Sequence, residues 1–464
     1  MEDKFLAFET KATDVCFNHA LALTMRKIMR SSNLLHSRKG RFVAFGALYI
    51  SEGVPFGFSA TAMVTFMRLE GLSIAQIGAF AAAILLPWGF KWAWAPLIDI
   101  VKLNRFGGRK AWIVFCTSMM IITLVTMAMV DFVTNYRILL WMVVLNNFFC
   151  ATQDVAIDSL AVSTLNEDER GTGNGFMFGG QFLGISLGGG GAIYVSSFWG
   201  FNASIIYVSS LLVMSLLFVI FFINDPSASS SDDATPTASF ARFFATLKTF
   251  VADLYTGFAN SGSGPKLGLI FAILPVGAMA LGYAILGTLQ VDYGLEQASI
   301  ARISILNTVF AGVGCVIGGM LGDKFGIKKM MALFYFLTTL PTIYLAAKIS
   351  SAGLEGIAIE AFYGAIILHG LFFGATFATH AAVFMGMTNP LVAATQFTAY
   401  MAISNLAVSI GNYWQGIVAE NMGYATVLYL DAMIVIVALA LIPFLKNRDE
   451  AVGELALEPV PVVE

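Results

Sequence analysis

Charge is scarce in this chain. Asp, Glu, Lys and Arg make up 12% of its 464 residues, while 58% are hydrophobic. A soluble domain carries about twice that charged share, so a soluble globular enzyme is excluded. Cysteine is scarce too. Cys16, Cys116, Cys150 and Cys315 lie far apart with no CxxC spacing, which points to neither a disulfide framework nor a thiolate metal site. Residues 1–40 are mixed polar and basic and lack the uninterrupted apolar core of a signal peptide. A catalytic constellation is also missing. Gly184-Ile-Ser-Leu-Gly188 spells a nucleophile elbow but lies inside an apolar run, not at a strand–turn–helix corner. Gly171-Thr-Gly-Asn-Gly175 has neither the preceding strand nor the full spacing of a phosphate loop. No enzymatic activity, cofactor, metal or nucleic-acid partner is expected.

Long apolar runs fill the space that charge leaves, and the mean hydropathy is +0.79. A run of about twenty apolar residues spans a bilayer as a helix. Twelve such spans are expected, near 42–66, 73–98, 110–130, 137–162, 172–197, 202–223, 267–290, 299–321, 329–349, 357–387, 391–418 and 424–445. An even number puts both termini on one side. The loops on that side hold Arg38, Lys39, Arg41, Arg109, Lys110, Arg170, Lys324, Lys328, Lys329 and more, while the opposite loops hold only Arg68, Arg137, Arg302 and Lys348. Positive charge stays with the cytoplasm, so both termini are expected there, with the inner membrane of a bacterium as the site.

Two stretches repeat one theme. Ala95 to Lys110 and Gly319 to Lys329 each follow an apolar segment, carry an aspartate (Asp99, Asp323) and end in a basic pair (Arg109 and Lys110; Lys328 and Lys329). Cys150-Ala-Thr and Gly374-Ala-Thr sit at the same offset of 224. A duplication of this kind is a common basis for a carrier built from two halves around a midplane site. The expected division is a cytoplasmic segment at 1–40, a six-helix bundle at 41–223, a linker at 224–266, a second six-helix bundle at 267–446 and a tail at 447–464. Within the linker, Phe240 to Phe258 sets an apolar stripe at helical spacing, suited either to the membrane surface or to the underside of the bundle. The loop aspartates and their basic neighbours are candidate gating groups, because a partly buried pair at a helix end can break as the halves rock.

Charges inside the spans are fewer and sharper. An acid or lysine at the bilayer centre costs roughly 2.5–3.5 kcal/mol on the insertion scale. Glu52, Lys91, Asp154 and Asp158 all incur that cost. Asp154 and Asp158 are four residues apart and so share a helix face, an arrangement suited to taking up and releasing a proton. Lys91 either attracts an anionic solute or neutralises Asp154. In the second half, His369 and His380 are eleven residues apart on one face, each a candidate proton carrier or a locally satisfied imidazole.

The second loop copy, with Gly319, Asp323, Lys324, Gly326, Lys328 and Lys329, resembles the G-x-x-x-D-(R/K)-x-G-(R/K)-(R/K) pattern of the major facilitator superfamily; the first copy departs from it at Ala95 and by about five extra residues before Gly107. The N-terminal half is more specific. Gly53-Val-Pro, Lys91-Trp-Ala-Trp-Ala-Pro-Leu-Ile-Asp99, Phe106-Gly-Gly-Arg109-Lys110, Ala151-Thr-Gln153-Asp154-Val-Ala-Ile-Asp158 and Glu169-Arg170-Gly171 resemble the AmpG-type muropeptide permeases and the related acetyl-coenzyme A transporters. That resemblance covers about 45–200. It implies an all-helical major facilitator fold of two pseudo-symmetric bundles and proton-coupled import of a bulky polar solute. A muropeptide is the first choice, with a ferric siderophore or acetyl-coenzyme A as alternatives. Lys91, Gln153, Asp154 and Asp158 match positions shared by the group, whereas Glu52 stands where an uncharged residue is usual. The expected partners are the lipid bilayer, the solute and protons, acting on a monomer. A non-transporting sensor is the competing class, and it would need a larger cytoplasmic domain than these loops provide.

Overall fold

The computed structural model describes residues 33–95, 98, 107–130, 134–166, 169–225, 240–259, 263–389 and 392–445, and these are almost entirely helical. Helix α1 (Arg38–Leu69) starts where the Ser37 hydroxyl accepts from Gly40 N–H, and it passes through a π-helical turn at Phe58–Met63 just after Pro55. Helix α2 (Ile74–Phe90) opens with a reciprocal cap, Ser73 and Gln76 each bonding the other's backbone N–H. Helices α3 (Arg109–Met127) and α4 (Tyr136–Thr164) follow. Helix α5 begins as Arg170–Ser186 and runs through a second π-helical turn, Leu187–Gly191, into Ala192–Trp199. Helix α6 (Phe201–Phe222) completes the first six crossings.

The second half departs from the expected spans in two places. The seventh is not one helix: α7 (Phe240–Ala259) is the linker helix, and the span after it is divided into α8 (Ser263–Ala272) and α9 (Ala284–Asp292). Pro275 removes a backbone donor and Gly277 takes a positive φ of 70°, so the helix unwinds between them. Helices α10 (Gln297–Phe325), α11 (Ile327–Ala352) and α12 (Ile359–Met387) are continuous. The last two spans then share one element, α13 (Ala393–Leu441), which turns back at Gly423 (φ 81°, ψ 167°), a conformation that only glycine adopts without strain. A straight helix of its 49 residues would measure about 73 Å, more than twice a bilayer core. With α8 and α9 taken as one span and α13 as two, the described residues make twelve crossings, an even number that returns Leu445 to the face of Asn33.

Apolar side chains point outward as well as inward. Phe115, Trp141, Ile206, Met320 and Ile436 are all exposed, as lipid contact demands and water would penalise. Pairing between helices instead relies on small residues, because lipid and leucine are equally apolar and only close contact favours association. Helix α1 lies against α5, α10 against α12, and α2 of the first half against α13 of the second. The linker helix packs on the underside of the bundle: Phe250 stacks on Trp92 of the first half, and Gln396 of the second donates to Gly257 O at 2.9 Å. Its other face exposes Val251 and Tyr255.

Gly374 is the tightest of these contacts, since a Cβ there would stand 1.8 Å from Ala311 O. Gly364, on the same helix, has nothing within 4 Å of its would-be Cβ. Gly374→Ala is therefore expected to cost about 1–3 kcal/mol by forcing α10 and α12 apart, while Gly364→Ala leaves stability unchanged or slightly improved. Thermal denaturation of the two purified variants in detergent checks the contrast.

Candidate substrate and coupling site

The intramembrane charges predicted from sequence converge in the first half. Lys91 follows the last turn of α2 and reaches α4, where its Nζ lies 2.5 Å from Asp154 Oδ2; both side chains are largely buried. One turn further along α4, Asp158 Oδ1 accepts from the Tyr49 hydroxyl of α1 at 2.5 Å. Glu52 sits on α1 three residues beyond Tyr49, 1% exposed, with Oε1 accepting from Gln181 Nε2 of α5 at 2.6 Å. Its Oε2 is buried without a partner. Cys150 Sγ donates to the Glu52 backbone oxygen at 3.5 Å. The i, i+4 spacing thus aims Asp154 at α2 and Asp158 at α1, on one side of α4 as expected. Gln153, between them in sequence, points the other way and donates to Thr117 Oγ1 of α3 at 2.6 Å. The cluster is linked but unbalanced: three carboxyl groups share one lysine.

A cavity with about 1120 Å³ of empty space, part of it open to solvent, lies between the halves beside this cluster. The first half contributes Phe56, Thr61, Trp88, Gln181 and Phe182, and the second contributes Tyr283, Ser304, Asn307, Phe373, Phe377 and Asn405. None of the described residues lining it is charged. Trp88 is the side chain that connects cavity and cluster, with Lys91 Nζ 5.5 Å from its ring centre and its own indole N–H buried without an acceptor. Lys91 is thus engaged by Asp154 behind the cavity wall. Aromatic faces and neutral amides are what a ring-bearing polar solute presents its own faces and hydroxyls to.

The second half builds its side of the cavity from the divided seventh span. Gly282, Tyr283 and Leu286, at the break and just past it, line the cavity. The unwound backbone is tied down by three helices, α11, α12 and α13. His369 Nε2 of α12 meets Ala278 O at 2.6 Å, Ala278 N–H donates to Thr338 Oγ1 of α11 at 3.2 Å, and Ala280 N–H donates to Asp431 Oδ2 of α13 at 3.0 Å. Asn412 Oδ1 then accepts from Ala284 N–H at 3.3 Å, close to the start of α9. Asp431 is 1% exposed and also accepts from Gln415 Nε2 at 2.8 Å. His380 lies elsewhere: its ring meets the Tyr335 hydroxyl at 2.7 Å and Ser404 at 3.3 Å, among Phe271 and Phe384. The two histidines share a helix face but not a site. Neither borders the cavity, and each has a local partner.

Asp431 and Gln181 are the residues that sequence reasoning passed over. Asp431 stands in the last span, and the same test that selected Glu52, an acid inside an apolar run, would have found it. Gln181 carries no charge, and only the tertiary structure puts it opposite Glu52.

The loop groups behave differently from one another. Arg109 donates from its backbone N–H to Asp225 Oδ2 at 2.9 Å and from Nε to Ser159 Oγ at 2.8 Å, and Lys110 Nζ donates to Ile220 O at 2.7 Å. All of these contacts stay within the first half. Asp99 lies outside the described residues. In the second copy, Asp323 and Lys329 are exposed, and Lys328 is half-buried. On the same face, Arg41 forks onto Glu169 at 2.5 and 2.9 Å, and those hydrogen bonds hold the carboxyl below the usual carboxylate range. Among the described residues, the ion pair that crosses between the halves is on the opposite face. Arg68, at the end of α1, donates through Nε and Nη2 to both oxygens of Asp292 at the end of α9, at 2.6 and 2.7 Å. Tyr424 adds its hydroxyl to Asp292 at 2.6 Å, and Glu420 accepts from Ile74 N–H at 2.7 Å.

Two bundles around a central cavity, with ionisable groups buried beside it, define a secondary-transporter architecture. The chain belongs to the Major Facilitator Superfamily, whose family model matches residues 42–289 and 267–461. It is therefore an integral multi-pass membrane transporter for a small-molecule substrate, and its family and structural neighbours are transporters, not enzymes. In sequence it is 23% identical over 413 residues to "Putative transporter AmpG 4" of Rickettsia felis, covering 86% of this chain and 95% of that one. It is 23% identical over 389 residues to the anhydromuropeptide permease of Escherichia coli K12, covering 82% of this chain and 74% of that one. In fold it resembles the inward-open form of the xylose transporter XylE from E. coli, with a TM-score of 0.67 at 12% identity, over 90% of this chain and all of that one. The nucleoside transporter NupG gives 0.63 at 16% identity over 88% of this chain.

Because Asp431 satisfies a backbone N–H and an amide in a dry site, Asp431→Ala leaves both without an acceptor, at about 1–3 kcal/mol each. Asp431→Asn keeps an acceptor toward Ala280 and is expected to lose less than half as much. Melting temperatures of the two variants, compared with wild type in the same detergent, check the order.

Proposed function

We propose that this chain is a proton-coupled importer of a muropeptide-class solute, a sugar carrying a short peptide. The observation that carries the reading is the pairing of a neutral, aromatic and amide-lined cavity with a buried cluster of three carboxyls and one lysine directly behind its wall. The sugar rings have apolar faces for Trp88, Tyr283 and Phe373, and hydroxyl and acetamido groups for Gln181, Asn307 and Asn405. Its relatives that carry the AmpG name or that of an anhydromuropeptide permease support the same class. A polyanion such as acetyl-coenzyme A fits less well, because the lining offers its phosphates no cation.

Basic residues gathered on the terminal face make that face cytoplasmic by the positive-inside rule. The Arg68–Asp292 pair then closes the outer face, and the molecule is in an inward-facing state. Asp154 and Asp158, with Glu52, are the proton-carrying groups; Lys91 neutralises whichever charge Asp154 bears. In this scheme Asp99, Asp323 and their basic neighbours form the inner latch when the cycle turns outward. One proton moving through 100 mV supplies about 2.3 kcal/mol, enough for a roughly fifty-fold gradient of a neutral solute.

Proteoliposomes with an imposed pH gradient are expected to concentrate an anhydromuropeptide, but not a ferric siderophore or acetyl-coenzyme A. Asp154→Asn should reduce accumulation to the level of simple equilibration, a loss of at least ten-fold. Concentrative uptake by that variant, or uptake of only a competing solute, overturns the corresponding half of the reading. For the outer gate, Arg68→Ala removes a partly exposed bidentate pair of about 1 kcal/mol and should raise the outward-open population about five-fold. Distances between spin labels at the outer ends of α1 and α9 report it.

A further inference from the structure

The Glu52 carboxyl is reached by one hydrogen-bonding side chain, Gln181, which also lines the central cavity. The other ionisable groups around it are committed elsewhere. On its own helix, Tyr49 donates its hydroxyl to Asp158. From α4, Asp154 is held by Lys91 of α2, and the Cys150 thiol donates to the Glu52 backbone. From α5, the helix facing it, Gln181 is the only polar group that reaches the carboxyl among the described residues.

An amide has a donor on one branch and an acceptor on the other, and it can exchange them by turning half a revolution. A Glu52 carboxylate requires the Gln181 NH₂ toward it, which leaves the amide oxygen for the cavity. A protonated Glu52 can donate its O–H to that oxygen instead, which turns the NH₂ outward. We propose that Gln181 is a specificity-determining residue that shows the solute a hydrogen-bond acceptor when Glu52 is ionised and a donor when Glu52 carries a proton. The proton comes from the water of the open cavity and returns to it, and no other bond changes. A solute carbonyl, such as an acetamido or peptide oxygen, pairs with the donor form, so that binding and protonation favour each other. This inference rests on the proton-coupled reading above and names the group through which solute and proton meet.

The test uses the full chain in lipid nanodiscs. Infrared difference spectra taken without solute, from about pH 5 to about pH 8, follow the protonated carboxyl band that Glu52→Gln removes and the side-chain amide band that Gln181→Leu removes. Both bands are expected to change together, with one midpoint, in the wild type. Binding of a purified anhydromuropeptide, read by calorimetry, should then strengthen about ten-fold toward acid in the wild type and lose that slope in Gln181→Leu and in Glu52→Gln. An amide band that stays still while the carboxyl titrates, or a carboxyl that does not titrate, overturns the inference. So does a Gln181→Leu variant with the wild-type slope. Bands that move together without muropeptide binding uphold the switch and reject the solute class. Should Gln181→Leu not fold, Gln181→Asn, whose shorter amide cannot keep both contacts, replaces it in both measurements.

Discussion

A lysine and an aspartate 2.5 Å apart, both largely buried within the bundle of membrane-spanning helices, make the rest of this site possible. Either charge alone would carry the full cost of insertion; together they form a neutral unit at the junction of α2 and α4. Once Asp154 is neutralised, two further carboxyls can stand within the same bundle, Asp158 under a tyrosine hydroxyl and Glu52 under a glutamine amide. Neither of these has a cation of its own. The first half therefore gathers the buried ionisable groups, and the cavity beside it is lined by neutral side chains among the described residues.

The second half solves a different problem. Its seventh span is opened at Pro275 and Gly277, and the freed backbone is reclaimed by His369, Thr338, Asp431 and Asn412. Broken backbone at membrane depth survives only where protein groups satisfy it. The first half bends its matching helix α1 more gently, by a π-helical turn at Phe58–Met63. The two helices still end in register, for Arg68 and Asp292 are separated by 224 positions, the same offset as the repeated loops. The outer ion pair thus joins equivalent points of the two halves.

Much of this was legible in the sequence because membrane insertion writes a strong signal. Twelve apolar runs, the duplicated loop and the four intramembrane charges of the first half each stand out against their surroundings, and Lys91, Asp154, Asp158 and Glu52 do gather. The division of the seventh span was signalled by Pro275 and Gly277, yet proline and glycine are tolerated in many membrane helices, so the break depends on partners from three other helices. The turn at Gly423 sat within a short gap between two expected spans and emerged as a fold-back in one element. Gln181 was invisible for a different reason. A neutral amide incurs little cost anywhere in a helix, and its importance comes only from the carboxyl opposite it. The histidines attracted notice as titratable residues in a membrane, but their rings are occupied in holding backbone and tyrosine. The altered loop at Asp99 lies outside the described residues.

The cavity and the ion pair between the halves are joined by one short helix. Helix α9 is nine residues long, about 13 Å from end to end. Tyr283 stands at its inner end on the cavity wall, and Asp292 closes its outer end against Arg68 and Tyr424. The break below it separates α9 from α8, so α9 can tilt without carrying the whole span. Asp431 and Asn412 anchor the region between, both from α13, the element that also supplies Tyr424 to the gate. Tyr283 on the cavity wall and Asp292 in the ion pair are thus opposite ends of one short helix, and the backbone before it is held by the buried Asp431. Unwinding the seventh span is what separates this short helix from the rest of the span; an unbroken helix would have to move from one face of the membrane to the other.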